Sequence, residues 1–302
     1  MKNNLLYLLI ILILNTQFGS HAISYEQFNF DITEIEILDK GNKFIGLKRG
    51  VISTNDGTII NADTFEYDKI SNILNAKGNV KIEDSIKNYL IFADDITYLR
   101  NEEKIFTRGK TKANIESKYN IKSKNVVFLK DQQKLSSNYK TVINDKNTQV
   151  YHMDKFVYSL NNYQLIADNI LIITNFGLPK SDKFYFSNAI INLDNKKFIA
   201  SNTKIKPHKD IFDNSENDPK IKGVSSIGEG NLTKIKKGVF TSCKDTDNCP
   251  PWVISAEQIT HDKKKKQLIY DHAVLKVYNF PILYFPKFFH PDPSVIRQSG
   301  FL

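Results

Sequence analysis

The chain has little of what most enzymes and most helical membrane proteins display. Of its 302 residues two are cysteine, two methionine and one tryptophan. No stretch stays apolar for the roughly 20 residues a helix needs to cross a hydrocarbon core. The longest apolar run, 5–14, is only ten residues and is broken by Tyr7. Beyond it helical periodicity is essentially absent, which excludes helical bundles and polytopic membrane proteins. Catalytic constellations are missing too. His261-Asp262 and His290-Pro291-Asp292 have the look of acid/base pairs. Neither comes with a nucleophile, a third orienting group or a Gly-rich oxyanion turn, so no catalytic residue is expected. Gly228-Glu229-Gly230 is too short for a phosphate-cradling loop. The sequence therefore predicts a non-enzyme with no cofactor and no metal.

What is present begins with an export signal. Lys2 gives a positive start, the apolar run follows, and Ser20-His21-Ala22 supplies small residues at the positions a signal peptidase reads. Residues 1–22 are expected to be removed, and no cysteine follows the run to carry a lipid anchor. About 280 residues remain, enough for one large domain or two small ones. Cys243 and Cys249, six positions apart, can close a small disulfide loop in an oxidising compartment. Free thiols and pairing with another chain are the alternatives. A metal pair would need further ligands, and the nearby His261 and His272 fall on a separate β segment.

The formal charge is +9 at pH 7, and +8 once Lys2 is gone. A basic exported chain suits an anionic membrane surface or an anionic glycolipid. Its lysines are spread along the whole length as on a solvated face, and no nucleic-acid partner is expected. The one dense run, Lys263 to Lys266, sits where a hairpin turn is expected.

Self-similarity organises the rest. Ala62-Asp-Thr-Phe-Glu-Tyr67 is followed by Ile73-Leu-Asn-Ala-Lys-Gly78-Asn-Val-Lys-Ile82. The layout returns at Ala93 to Tyr98 with Ile105 to Gly109, around Phe128 and Leu135, around Tyr158 and Leu165, and more loosely from Ser187 through Ile199 to Ile205. The aromatic anchors Tyr67, Tyr98, Phe128 and Tyr158 recur about every 30 residues, and a divergent copy runs from Ala256 to Val277. A fixed period of this length calls for a stacked or rolled architecture.

Each copy reads as two β segments joined by a polar turn, as at 68–72, 100–104 and 130–134. Leu74, Ala76, Gly78, Val80 and Ile82 share one face, and Ile73, Asn75, Lys77, Asn79 and Lys81 the other. Ile105, Thr107, Gly109, Thr111, Ala113 and Ile115 repeat the pattern, as do Leu135, Ser137, Tyr139, Thr141 and Ile143. The predicted class is all-β, built from hairpin repeats of about 30 residues. The small inward residues either leave a lumen between sheets or permit tight sheet packing. The repeat is expected to break between Pro207 and Gly230.

Two segments resemble known proteins. The Ala-Asp-x-x-x-Tyr … Leu-x-Ala-x-Gly-Asn-Val-x-Ile layout at 62–82 resembles the organic-solvent-tolerance-like domain shared by lipopolysaccharide-transport proteins. Cys249-Pro-Pro-Trp252, His261-Asp262, Ala273 to Tyr278, Pro281 to Pro286 and His290 to Leu302 are similar to the outer-membrane lipopolysaccharide-assembly family. The resemblance implies a rolled, V-shaped two-sheet β jelly roll over 23–240. It also implies a last repeat and a connector over 241–302, leading to an outer-membrane β-barrel this sequence does not contain. Pro281, Pro286, Pro291 and Pro293 forbid regular ladder bonding and suggest a rigid connector, while Tyr284, Phe285, Phe288 and Phe289 suit a membrane–water interface or a lid on the β roll.

The function implied is non-catalytic lipopolysaccharide transport at the periplasmic face of the outer membrane. Acyl chains would be shielded along Leu74, Ala76, Val80, Ile82, Ile105, Ala113, Ile115, Leu135 and Ile143. The partners implied are lipopolysaccharide, a homologous periplasmic bridge protein joined by edge-strand pairing, and an outer-membrane lipoprotein. The rival readings are a stand-alone bridge component, which would have no use for the connector, and a β-helical carbohydrate-active enzyme or adhesin, whose coils would run 20–25 residues.

Overall fold

The computed structural model describes residues 28–178, 180–208, 218–244, 250–292 and 295. The expected signal, Cys249, Pro293 and the last residues, 296–302, lie outside this set. The fold is all-β: among the described residues, 23 strands are joined by antiparallel hydrogen bonding, with three single-turn 3-10 segments between them. Among the described residues no helix is long and apolar enough to cross a membrane.

Most neighbours in the sheet are also neighbours in sequence, so the chain climbs as a meander. What makes it more than a flat meander is a corner in the middle of each rung. Ile73–Asp84 pairs through its first half with Thr64–Asp68 and through its second half with Thr58–Ala62. The same division recurs where Lys104–Ile115 meets Tyr119–Lys124 and Val127–Leu129. Each rung thus contributes one half to a first arm and the other half to a second arm, and the two arms face each other across a fold line. The jelly-roll-like folding of one sheet onto itself follows.

The repeated Ala-Asp and Gly positions make that fold line. Between Lys77 and Val80 the pairing with the Tyr89–Leu99 strand shifts register, placing Gly78 and Asn79 opposite one residue. Both have positive φ, 77° and 47°, the signature of a bulge that bends and twists its strand. Asn79 Nδ2 donates to Asp63 Oδ2 at 2.7 Å, and the Asp63 amide donates to the Gly78 carbonyl at 3.0 Å. One rung further on, Lys110 N donates to Asp94 Oδ2 at 3.1 Å and Gly109 N to Asn125 Oδ1 at 2.9 Å. Asn169 Nδ2 donates to Asp154 in the same way. Asp63 and Asp94 of the first two Ala-Asp pairs, and Asp154 after Met153, therefore tie the corner of one rung to the corner of the next.

Residue size then follows position. Beside the corners, where the arms converge, the inward residues are small and hydroxylated. Thr107 meets Thr111 at 2.6 Å, Ser123 meets Thr141 at 2.7 Å and Thr203 meets Ser226 at 2.7 Å, all buried. Farther from the corner come Leu74, Tyr98, Ile105, Phe128, Leu135 and Tyr158, all buried in a single core. Aromatic contacts cross between the arms: Tyr89 with Phe128 at 5.0 Å, Tyr119 with Tyr158 at 6.1 Å, and Phe240 with Tyr270 at 6.4 Å. At the corners these small residues meet directly and serve tight convergence of the arms.

Three sequence expectations change. Tyr139 faces solvent because it lies at a corner between Lys134–Ser137 and Thr141–Asp145, where the alternation slips. The break after Pro207 is shorter than expected, since Lys220–Glu229 is a regular rung. Phe280–Pro291 is a paired strand, the edge of the stack among the described residues, despite Pro281, Pro286 and Pro291. An edge strand bonds a neighbour on one side only, so a proline whose missing N–H faces the open side costs no ladder bond. The Lys263–Lys266 run does form the turn between Trp252–Asp262 and Gln267–Val277.

Candidate functional site

The candidate site is the space between the arms. Leu74, Ala76, Ile105 and Leu135 point inward from the second arm, and Val80, Ile82, Ala113, Ile115 and Ile143 from the first. None is more than 6% exposed. They belong to one apolar cluster that runs from Phe28 to Ala273 with partners at every rung between. The alternation that the sequence displays is what aims them there, since a pleated strand sends successive side chains to opposite faces. Their near-zero exposure means the inner faces touch each other in this state. A guest enters only by parting the arms or by displacing these contacts.

The side of the space opposite the fold line, its mouth, is bounded by two rows of turns that face each other. Polar contacts bridge the rows. Lys130, on a second-arm turn and 1% exposed, donates to Asp56 Oδ2 on a first-arm turn at 2.9 Å. It also reaches Glu103 Oε2 at 3.1 Å and the Tyr98 hydroxyl at 2.9 Å. Its three N–H donors thus have three acceptors, which keeps the ammonium charged although burial, opposed by Asp56, lowers its pKa. Arg100 pairs with Glu103 within the same cluster. Burial works against charge on Asp56, but hydrogen bonds from Lys130 and Thr54 outweigh it and hold the carboxyl down at about 2.

Two further clasps follow along the mouth. Tyr163 donates to Glu116 at 2.9 Å, and the Lys118 ammonium sits 5.0 Å from the Tyr163 ring. Lys196 donates to Asp145 Oδ2 at 2.6 Å and to the Tyr151 hydroxyl at 3.2 Å, with the Asp145 side chain only 2% exposed. Last, Lys263 lies 5.3 Å from the centre of the Phe184 ring. No motif in the sequence announces these contacts. The pairs Asp56–Lys130, Glu116–Tyr163 and Asp145–Lys196 each bring together chain segments distant in sequence, and these residues lie in or beside turns that read locally as ordinary connections.

Between the last two contacts the mouth stands open over a cavity of ≈100 Å³. Its floor is Tyr151, Ile172, Phe184, Ile191 and Phe198, and its rim carries Lys196, Glu229, Thr233 and Lys263. Phe198 lies across Gly228 of the neighbouring strand, where a Cβ would come within 2.0 Å of the ring. An aromatic ring laid over a strand glycine in this way shields the bare backbone and fixes the ring.

Of the cysteine pair, Cys243 is half-buried after the Leu232–Thr241 strand, its sulfur 3.8 Å from the Trp252 carbonyl. Cys249 lies outside the described residues. The histidines noted for acid/base work are structural neighbours of the second arm. His261 meets Asp292 at 2.9 Å, and His290 meets the Tyr270 hydroxyl at 2.8 Å inside an aromatic group with Phe240 and Phe288. No cluster of three metal-ligating side chains occurs among the described residues.

No family model matches the chain. Part of it is similar to curated proteins. One, from Hahella chejuensis, is an LPS-assembly protein LptD, 32% identical over 77 residues, which are 26% of this chain and 9% of that protein. Another LPS-assembly protein LptD, from Legionella pneumophila, is 35% identical over 68 residues, 22% of this chain and 8% of the relative. The matched stretch therefore spans less than a tenth of either relative's length.

Proposed function

We propose that this chain is a non-catalytic carrier segment for lipopolysaccharide, holding acyl chains between its arms while the phosphorylated sugar stays outside the mouth. The observation that carries the reading is the continuous apolar interior, its mouth bridged at intervals by polar contacts that can separate. Apolar surface removed from water is worth roughly 25 cal/mol per Å². An acyl chain that replaces arm–arm contacts with its own keeps that term nearly constant, so insertion is close to neutral and the lipid can move on. A stack of similar rungs offers many equivalent positions rather than one deep trap. The partial similarity to LPS-assembly proteins supports the same substrate.

The chain would work at the periplasmic face of the outer membrane. Leu74, Ala76, Val80, Ile82, Ile105, Ala113, Ile115, Leu135 and Ile143 would line the path in its first half. Among the described residues, Asn29–Ile32 and Ile35–Leu38 each pair on one side, and Ile35, Ile37 and Leu38 are exposed. A homologous bridge protein would add a strand there and continue the apolar interior. Residues 23–240 would form the carrier and 241–302 its join to a barrel and an outer-membrane lipoprotein.

Photo-reactive residues placed one at a time along the path test this. Leu74, Ile105 and Ile143 positions should capture lipopolysaccharide, and the outward Lys77 and Lys81 positions should not. Capture from the outward positions alone would contradict the reading.

A further inference from the structure

We propose that the open stretch of the mouth is a docking site for the phosphate group of an acylated lipid, with Lys263 as its primary cation and Lys196 as its second. The proposal rests on the carrier reading above and deepens it, by naming where the anionic headgroup is held. It starts from a mismatch of charge along the rim. Glu229 is engaged by Lys197 at 2.5 Å, and Lys196 is engaged by the buried Asp145. Lys263, in contrast, is exposed, sits over the Phe184 ring and has no carboxylate partner among the described residues. A cation held over an aromatic face and left without a counter-ion is poised for an anion from outside.

The surroundings fit one class of ligand. The lining adds the hydroxyl of Thr233 and the side-chain amide of Gln149, hydrogen-bond donors suited to phosphate oxygens. Directly beneath lie Tyr151, Ile172, Phe184 and Ile191, which are members of the main apolar core. A free phosphate ion would use the rim and leave the floor empty, and an uncharged lipid would use the floor and leave Lys263 unpaired. A phosphate joined to an acylated sugar uses both. The cavity is too small for a whole lipid, so the ligand extends from it in two directions. The acyl chains run inward between the arms and the polar portion outward.

Lys196 gives the site a second function. Its ammonium holds Asp145 and Tyr151 across the mouth. An arriving phosphate competes with Asp145 for that ammonium, so docking at Lys263 loosens the adjacent clasp. The headgroup thereby helps open the mouth through which its own acyl chains enter.

The test compares binding of diphosphoryl lipid A with that of the same lipid stripped of both phosphates, using the full chain. Inorganic phosphate serves as a third probe. The wild-type chain should prefer the phosphorylated lipid about tenfold, as expected for a charge-assisted contact worth about 1.4 kcal/mol. Lys263→Gln should abolish most of that preference without weakening the phosphate-free lipid, Lys263→Arg should retain it, and Lys264→Gln on the same turn should leave it intact. Equal preference in all four chains would overturn the proposal while leaving the carrier reading standing. Binding of inorganic phosphate as tight as that of the lipid would overturn the commitment to a lipid. Failure of the wild-type chain to bind either lipid would overturn the carrier reading itself.

Discussion

Asp56 shows how much one turn residue can decide when the fold brings a partner from 74 positions away. Its carboxyl is held at about 2 against an ordinary 3.8, chiefly by Lys130 and Thr54 acting against the burial that opposes its charge. A carboxyl whose pKa is depressed on folding adds stability that is fully present above the unfolded value and is lost as pH falls through the folded value. The stability gap between the wild-type chain and Asp56→Asn should therefore stay constant from pH 7 to about pH 4. It should close as the pH approaches 2, as read by urea denaturation at each pH. A gap that persists unchanged at pH 2 would mean that the Asp56 charge does not hold the clasp. Lys130 itself is a poor candidate for simple removal, because Glu103 and Asp56 would be left to share Arg100 in a partly buried setting.

At the scale of the strand, the corner is the element on which the architecture depends. Gly78 combines a φ of 77° with a site where a Cβ would stand 2.6 Å from Asp63 Oδ2. Gly177 has a similar φ, 81°, in open space. Gly78→Ala should cost about 2 kcal/mol and Gly177→Ala about 1 kcal/mol, since only the first adds a steric clash to the backbone strain. Chemical denaturation of the two variants measures the difference, and equal losses would show that the Asp63 contact does not shape the corner. The sequence made this element readable in part. Strict alternation at 73–82 and 104–116 gave strands and their inner faces, and the recurrence of Tyr67, Tyr98, Phe128 and Tyr158 gave the period. What the alternation does not encode is the corner, because Gly78-Asn79 and Gly109-Lys110 preserve parity while the backbone bends. The prolines of Phe280–Pro291 misled for a related reason, since their effect depends on which side of the strand has a neighbour. The mouth clasps were illegible because Asp56 and Lys130, or Glu116 and Tyr163, meet only once the rungs are stacked. The outer face of the second arm was equally silent. There Val157, Ile166, Ile190, Ile199 and Ile227 oppose one another strand by strand while remaining exposed. Such cross-strand pairs each add roughly 0.2–1 kcal/mol to the sheet.

At the scale of the molecule, two arms meet along a line of corners, enclose apolar side chains and are clasped along the opposite side. Under the proposed carrier function, this interior takes up lipid by parting the arms. Ser117 and Asn161 are exposed residues on facing turns of the mouth, next to the Glu116–Tyr163 clasp. Spin labels at these two positions report the opening directly through their dipolar distance, measured with and without lipopolysaccharide. Opening on binding should give a longer and broader distance distribution when lipopolysaccharide is present. An unchanged distribution in a chain saturated with lipopolysaccharide would contradict it.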